Sequence, residues 1–92
     1  MKSITWNTEK SVALKSTRGI CFEDVVFFIE RGDILDDYLH PDQKAYPGQR
    51  IMVINIANYA YLVPYVEDDE ELFLKTIIPS RKATQRYLGE TL

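Results

Sequence analysis

Four cations stand close together near one end of the chain: Lys75, Arg81, Lys82 and Arg86. They flank the dipeptide Pro79-Ser80, which reads as the start of a helix, because a serine hydroxyl at an N-cap accepts from a free backbone N–H two or three residues on. A helix N-terminus already carries roughly half a positive charge and favours acidic side chains. Here the first two helical positions are instead Arg81 and Lys82. Arg86 follows Lys82 by one turn on the same side, and Lys75 lies in the apolar run just before the helix. With the free N–H groups of the helix start, these side chains make a phosphate site. Their mutual repulsion costs a few tenths of a kcal/mol, roughly, which a bound anion offsets. The competing reading pairs Arg81 or Lys82 with acids from residues 33–37 or 67–71.

Aromatic spacing adds a second chemistry. Tyr59, Tyr61 and Tyr65 share one strand face by the period of two, as do Phe73, Lys75 and Ile77. Aromatic rings beside a lysine can stack bases and hold phosphate. The alternative is a core face from which the lysine snorkels to water, and for the tyrosines a core face is the stronger expectation. Asp36, Asp37, His40 and Asp42 fit neither a calcium-loop nor a helical zinc spacing and read as a solvated acidic loop, so no metal is expected. The tripeptide His40-Pro41-Asp42 matches the J-domain loop of Hsp40 co-chaperones, but that loop lies between helices and this one precedes strands. It reads as a surface turn, and Glu67–Glu71 as a polar hairpin tip.

The elements that must position these groups follow from periodicity. "WNTEKSVALKSTRG" reads as a helix capped by Asn7 and stopped at Gly19, and "FEDVVFFIERG" as a second, with Phe22, Val25, Val26 and Ile29 on one face. "DILDDYL" reads as a short edge strand and "HPDQKAYPGQ" as a loop. "RIMVINIA" and "YAYLVPYVE" read as strands joined tightly around Asn58, "LFLKTIIP" as a further strand, and Ser80 to about Leu88 as the last helix, ended by Gly89. The expected class is α+β: two N-terminal helices, an antiparallel meander of about four strands with helices on one face, and a C-terminal helix. Pro64 cannot donate to a ladder, so a break in pairing is expected near Val63–Tyr65.

Ninety-two residues, 46% of them hydrophobic, fit a single domain spanning 1–92 rather than a disordered chain. The single cysteine, Cys21, excludes an internal disulfide and suits a reducing cytosol. "MKSITWNTEK" lacks the apolar centre of a secretory signal, and the apolar run from Ile51 to Tyr65 is broken by Asn55, Asn58 and Pro64, so no membrane span is expected. The net charge of −3 is unevenly spread: residues 33–71 carry nine acids against two Lys/Arg, whereas residues 72–92 carry four Lys/Arg against one acid. A basic end can bind an anion locally even though the whole-molecule field opposes it.

In their order, "ITWNTEK", "STRGI", "FEDV", "DILDD", "GQR" and "IIPSRKATQRY" resemble the BrnT family of type II toxin–antitoxin ribonucleases, which have a RelE-like fold. The resemblance implies a bacterial, cytoplasmic, mRNA-cleaving toxin silenced by a small antitoxin with a DNA-binding domain. It implies no metal and no cofactor: the ribose 2′-OH attacks the adjacent phosphate while cations stabilise the developing charge. On the matching positions Lys10, Lys75, Arg81 and Lys82 would be catalytic, with Arg18, Arg86 and Tyr87 on the RNA. The chain departs from the family at Arg18, where the family has a histidine, at Pro64 and Tyr65, where it has an arginine, and in its acidic balance. Two other readings stand beside the ribonuclease: a non-enzymatic binding module of the same fold, and a small-molecule or chaperone-type domain.

Overall fold

A computed structural model describes residues 2–89. In chain order its elements are β1 (Ser3–Trp6), α1 (Thr8–Arg18), α2 (Phe22–Glu30), β2 (Ile34–Leu39), β3 (Arg50–Ile56), β4 (Tyr59–Glu67), β5 (Glu71–Leu74), β6 (Ile78–Pro79) and α3 (Arg81–Leu88). The class is α+β, and the helices form where expected. The Asn7 side chain accepts from the Lys10 N–H, and Gly19 closes α1 at φ 74°. At α2 the Asp24 carboxylate takes the Cys21 N–H at 3.0 Å. Ser11 joins the two helices, its hydroxyl donating to Glu23 at 2.8 Å and accepting from the Phe22 N–H at 3.0 Å.

The sheet departs from a simple four-stranded meander. It has six strands in the order β1-β5-β4-β3-β2, with β6 paired to the start of β4. β1 runs parallel to β5, with Ser3 opposite Glu71 and Trp6 opposite Leu74. β-Branched and aromatic residues at Ile4, Thr5 and Trp6 suit a strand, and the long connection from β1 to β5, through α1, α2, β2, β3 and β4, provides the length a parallel pairing needs. The hairpin between β3 and β4 turns through Ala57 (φ 52°) and Asn58 (φ 67°), the left-handed pair of a type I′ turn.

The run expected as one strand from Leu72 to Pro79 is two. β4 pairs with β5 from Tyr65 to Glu67 and with β6 at Tyr61 and Leu62, and the change of partner falls beside Pro64. On its other edge β4 pairs with β3 without interruption, Pro64 lying opposite Ile51. The expected break therefore occurs on one edge only. Between the two short strands the chain leaves the ladder, and Ile77 drops, fully buried, into the core with Leu74. The shared face expected for Phe73, Lys75 and Ile77 is lost there. The Arg18 guanidinium donates to the Ile77 carbonyl and holds this irregular segment.

Helices cover both faces, not one. α1 and α2 pack Leu14, Phe22 and Val25 against Met52, Ile54, Val63 and Tyr65. α3 packs Ala83 and Tyr87 on the opposite face, against Val53, Ala60 and Leu62. Strand alternation accounts for the split, since Met52 and Ile54 point one way and Val53 the other. Tyr65 is buried in the larger core and Tyr61 packs against it, so two of the three tyrosines serve as core.

Candidate anion-binding cleft beside the third helix

α3 is seated on the sheet by its first turn. The Ser80 hydroxyl accepts from the Ala83 N–H at 3.0 Å, as an N-cap should. The Thr84 hydroxyl donates to the Ser80 carbonyl at 2.7 Å and accepts from the Ala60 N–H at 2.8 Å, tying the helix to β4. With Ala83 and Thr84 buried beneath, Lys82 and Arg86 stand four residues apart and exposed.

An open cleft of ≈ 530 Å³ runs along this helix, lined by Asp36 and Tyr38 of β2, Pro41, Leu62 of β4, the N-cap Ser80, and Lys82, Ala83, Arg86 and Tyr87 of α3. Its far wall is the edge strand. Asp36 and Tyr38 lie opposite Val53 and Ile51, on the sheet face that carries α3, whereas Asp37 lies opposite Met52 on the other face. The Tyr87 hydroxyl donates to Asp36 Oδ2 and bridges α3 to β2. The Asp37 N–H donates to Asp36 Oδ1 at 2.8 Å. The Tyr87 hydrogen bond, then that N–H, hold the Asp36 carboxyl below its ordinary value. Asp36 in turn raises the Tyr87 phenol. The Arg86 guanidinium lies 5.5 Å from the Tyr87 ring centre.

Asp37, one residue on, faces the larger core. The Tyr65 hydroxyl donates to its two oxygens at 2.8 and 2.7 Å, and Arg50 Nε donates to Asp37 at 3.1 Å and to the Tyr65 oxygen at 3.2 Å. Burial, then the Asp37 hydrogen bond, push the Tyr65 phenol up to about 12. Asp36 and Asp37 are thus strand residues with tyrosine partners rather than members of a solvated loop.

The structure brings Lys82, Arg86 and Tyr87 together at this cleft. Arg81, at the first position of α3, is exposed outside its lining, and Lys75 stands on the same sheet face beyond it, its ammonium 5.7 Å from the Phe73 ring centre. Lys10 and Arg18 lie on α1, across the sheet from α3. Among the described residues no carboxylate lies within ion-pair distance of Lys75, Arg81, Lys82 or Arg86; the ion pairs present are Lys2–Glu67, Lys15–Asp24, Arg31–Asp33 and Arg50–Asp37. The expected alternative, in which Arg81 or Lys82 pairs with acids of 33–37 or 67–71, does not occur among them. Asp36, Tyr38 and Leu62 join the site unforeseen. The signal for the first two was the alternation in "ILDDYL", which sends Asp36 and Tyr38 to one face and Asp37 to the other.

No family model, no curated protein and no solved structure aligns with this chain.

The arrangement can hold an anion. Two cations and a serine line one wall, the helix N-terminus adds its partial charge, and Asp36, the one carboxylate in the lining among the described residues, already accepts two hydrogen bonds. His40 contributes no base to the lining. It lies in the loop after β2, where its Nδ1 accepts from the Asp42 N–H at 3.0 Å.

Proposed function

We propose that the chain is the toxin of a type II toxin–antitoxin pair, a cytoplasmic endoribonuclease that cleaves mRNA and is silenced by a small antitoxin carrying a DNA-binding domain. The observation that carries this reading is the group of cations around α3, none of them paired with a described carboxylate, two of which line a cleft open enough for a nucleotide. Lys82 and Arg86 bind the scissile phosphate. The ribose 2′-OH attacks it, the bond to the 5′-oxygen breaks, and the products are a 2′,3′-cyclic phosphate and a 5′-hydroxyl. The cations stabilise the extra negative charge of the five-coordinate phosphorus. Asp36 is the acceptor in the cleft for the 2′-OH proton, and water returns a proton to the leaving oxygen. Lys75 and Arg81 bind flanking phosphates, and Lys10 and Arg18, across the sheet, lie outside the reacting centre.

The test is cleavage of single-stranded RNA by purified protein, with analysis of the product ends, together with growth after induction without an antitoxin. Cyclic phosphate ends and growth arrest are expected. Lys82→Ala should lower the rate at least about tenfold while leaving the melting temperature level or slightly raised, because a cation leaves the positive end of a helix. An intact chain that neither cuts RNA nor arrests growth refutes the nuclease.

One observation favours a second reading. Asp36 is held below its ordinary value by Tyr87 and the Asp37 N–H, which weakens it as a base. A cleft with good phosphate donors and a weak base suits a binding module that acts in a complex with its partner and does not cut. RNA binding without cleavage would select it.

A further inference from the structure

A strongly charged surface that the cleft does not use lies at the tip of the hairpin between β4 and β5. Glu67, Asp68, Asp69, Glu70 and Glu71 are consecutive acids, exposed except for the half-buried Glu71. The tip has a fixed shape. The Asp68 N–H donates to the Glu71 carbonyl at 3.0 Å, and Asp68 Oδ1 accepts from the Glu70 and Glu71 N–H groups, each at 2.8 Å. Asp69 and Glu70 are left at the apex. Glu67 pairs with Lys2, whereas among the described residues no cation lies within ion-pair distance of Asp69 or Glu70. The chain thus carries two unpaired cations in a cleft, Lys82 and Arg86, and two unpaired acids on an ordered tip. It cannot join them within one copy. α3 packs over β4 at Ala60 and Leu62, and the tip begins at Glu67, about 17 Å further along the strand.

We propose that the acidic tip of a second copy of this chain fills the cleft, Asp69 and Glu70 meeting Lys82 and Arg86, so that two copies related by a two-fold axis close each other's anion site. The proposal rests on the anion-binding part of the reading above, not on RNA cleavage. It adds a regulation, because an anion from outside must displace the tip. Charge and spacing decide the occupant. Consecutive residues have Cα atoms about 3.8 Å apart, and side chains one helical turn apart stand about 5–6 Å apart, so two neighbouring carboxylates reach the two cations. The turn bonds of Asp68 hold the tip in shape before contact, which lowers the ordering cost of docking. Asp36, the acid already in the cleft, is engaged by Tyr87 and the Asp37 N–H. A two-fold axis makes the same contact twice, with the same surface used on both copies. The pairs sit at the surface, so the dimer is weak and is dispersed by salt.

The experiment is sedimentation equilibrium of the full chain at about 0.05 and about 0.5 M salt, which differ about threefold in screening length. Dimer at low salt and monomer at high salt are expected. Inorganic polyphosphate should dissolve the low-salt dimer, because it takes the same cations. The double variants Asp69→Lys/Glu70→Lys and Lys82→Glu/Arg86→Glu should each weaken association at least about tenfold. Neither removes a hydrogen bond or ion pair found among the described residues, and melting curves check that both fold. Mixed in equal amounts, the two variants should restore the dimer, since the acidic cleft of one takes the basic tip of the other and the reverse. Glu30→Lys, an exposed charge change on α2, should leave association unchanged. Wild type that stays monomeric at low salt up to about 0.5 mM would overturn the proposal. So would a dimer indifferent to salt and polyphosphate, or variants that fail to rescue each other. Loss of the dimer in the cleft variant alone would overturn the tip and give the cleft to another acid. A chain that dimerises in this way but never cuts RNA keeps the tip in the cleft and removes the nuclease, and cleavage by a strict monomer does the reverse.

Discussion

Tyr65→Phe removes one oxygen from the centre of the larger core and tests how the edge strand is held. The ring is 2% exposed and packs with Met52, Val63 and Leu74, so phenylalanine keeps the apolar contacts. What goes is a hydroxyl that donates to both Asp37 oxygens and accepts from Arg50. Hydrogen bonds to charged groups contribute about 1.5–3 kcal/mol. Asp37 and Arg50 keep side-chain exposures of 40% and 34%, so water can replace the lost partner and the cost falls toward the low end, about 1–2 kcal/mol. For a domain of this size that lowers the melting temperature by about 5–15 °C. Thermal and urea unfolding of Tyr65→Phe, Asp37→Ala and the double variant form the assay. In the Asp37→Ala background the tyrosine change should cost less than half as much, because the two groups act through one another. Lys2→Ala, which breaks an exposed ion pair with Glu67, should change stability by less than about 0.5 kcal/mol. Wild-type melting by Tyr65→Phe, or the same cost in both backgrounds, would refute the reasoning.

Three further outcomes are expected. Glu23, Asp24, Asp36 and Asp68 are all held below their ordinary values, so their contribution is complete above the unfolded carboxyl pKa of about 4 and is lost as pH falls through the folded values. Tyr65 has the opposite sign: its contribution is complete below the ordinary phenol value of about 10 and is lost as pH rises toward about 12, so melting temperature against pH should be flat between and fall at both ends. Lys82→Ala and Arg86→Ala should each flatten the plot of log affinity against log salt for oligouridine by about 0.7, the value of one phosphate contact on a single strand. Ala57→Gly relieves a left-handed alanine in the type I′ turn and should raise stability by about 0.5–1 kcal/mol in a denaturant titration.

Caps, turns and periodicity made much of this fold legible. Asn7, Gly19 and Ser80 bound helices where local hydrogen bonding demands it, and Asn58 marks a turn that tolerates positive φ. Two features were hidden because they depend on distant partners. Ser3–Trp6 is too short to declare itself as a strand, and it becomes one only because β5 lies alongside. The division of Leu72–Pro79 follows from β4 exchanging partners at Pro64, which a local pattern does not show. The candidate site divides in the same way. Lys82, Arg86 and Tyr87 share a helix and a spacing, so their convergence was readable. The placement of Lys10 and Arg18 across the sheet is a property of the layers, since nothing in either residue's neighbourhood shows which face its helix covers.

The alternation of β2 joins stability to the site. Adjacent aspartates face opposite ways, and each is met by a tyrosine from another element: Asp37 by Tyr65 of β4, Asp36 by Tyr87 of α3. The Asp37 N–H also donates to Asp36, so the carboxylate in the cleft is oriented from the same residue that anchors the core side. An edge strand with one free flank would otherwise be the least constrained part of the sheet. Here it forms the rigid wall of the cleft opposite Lys82 and Arg86. The two cations at the start of α3 now have a physical setting. Asp36 is engaged by Tyr87, no described carboxylate pairs with Arg81 or Lys82, and the positive end of the helix is left for an anion from outside.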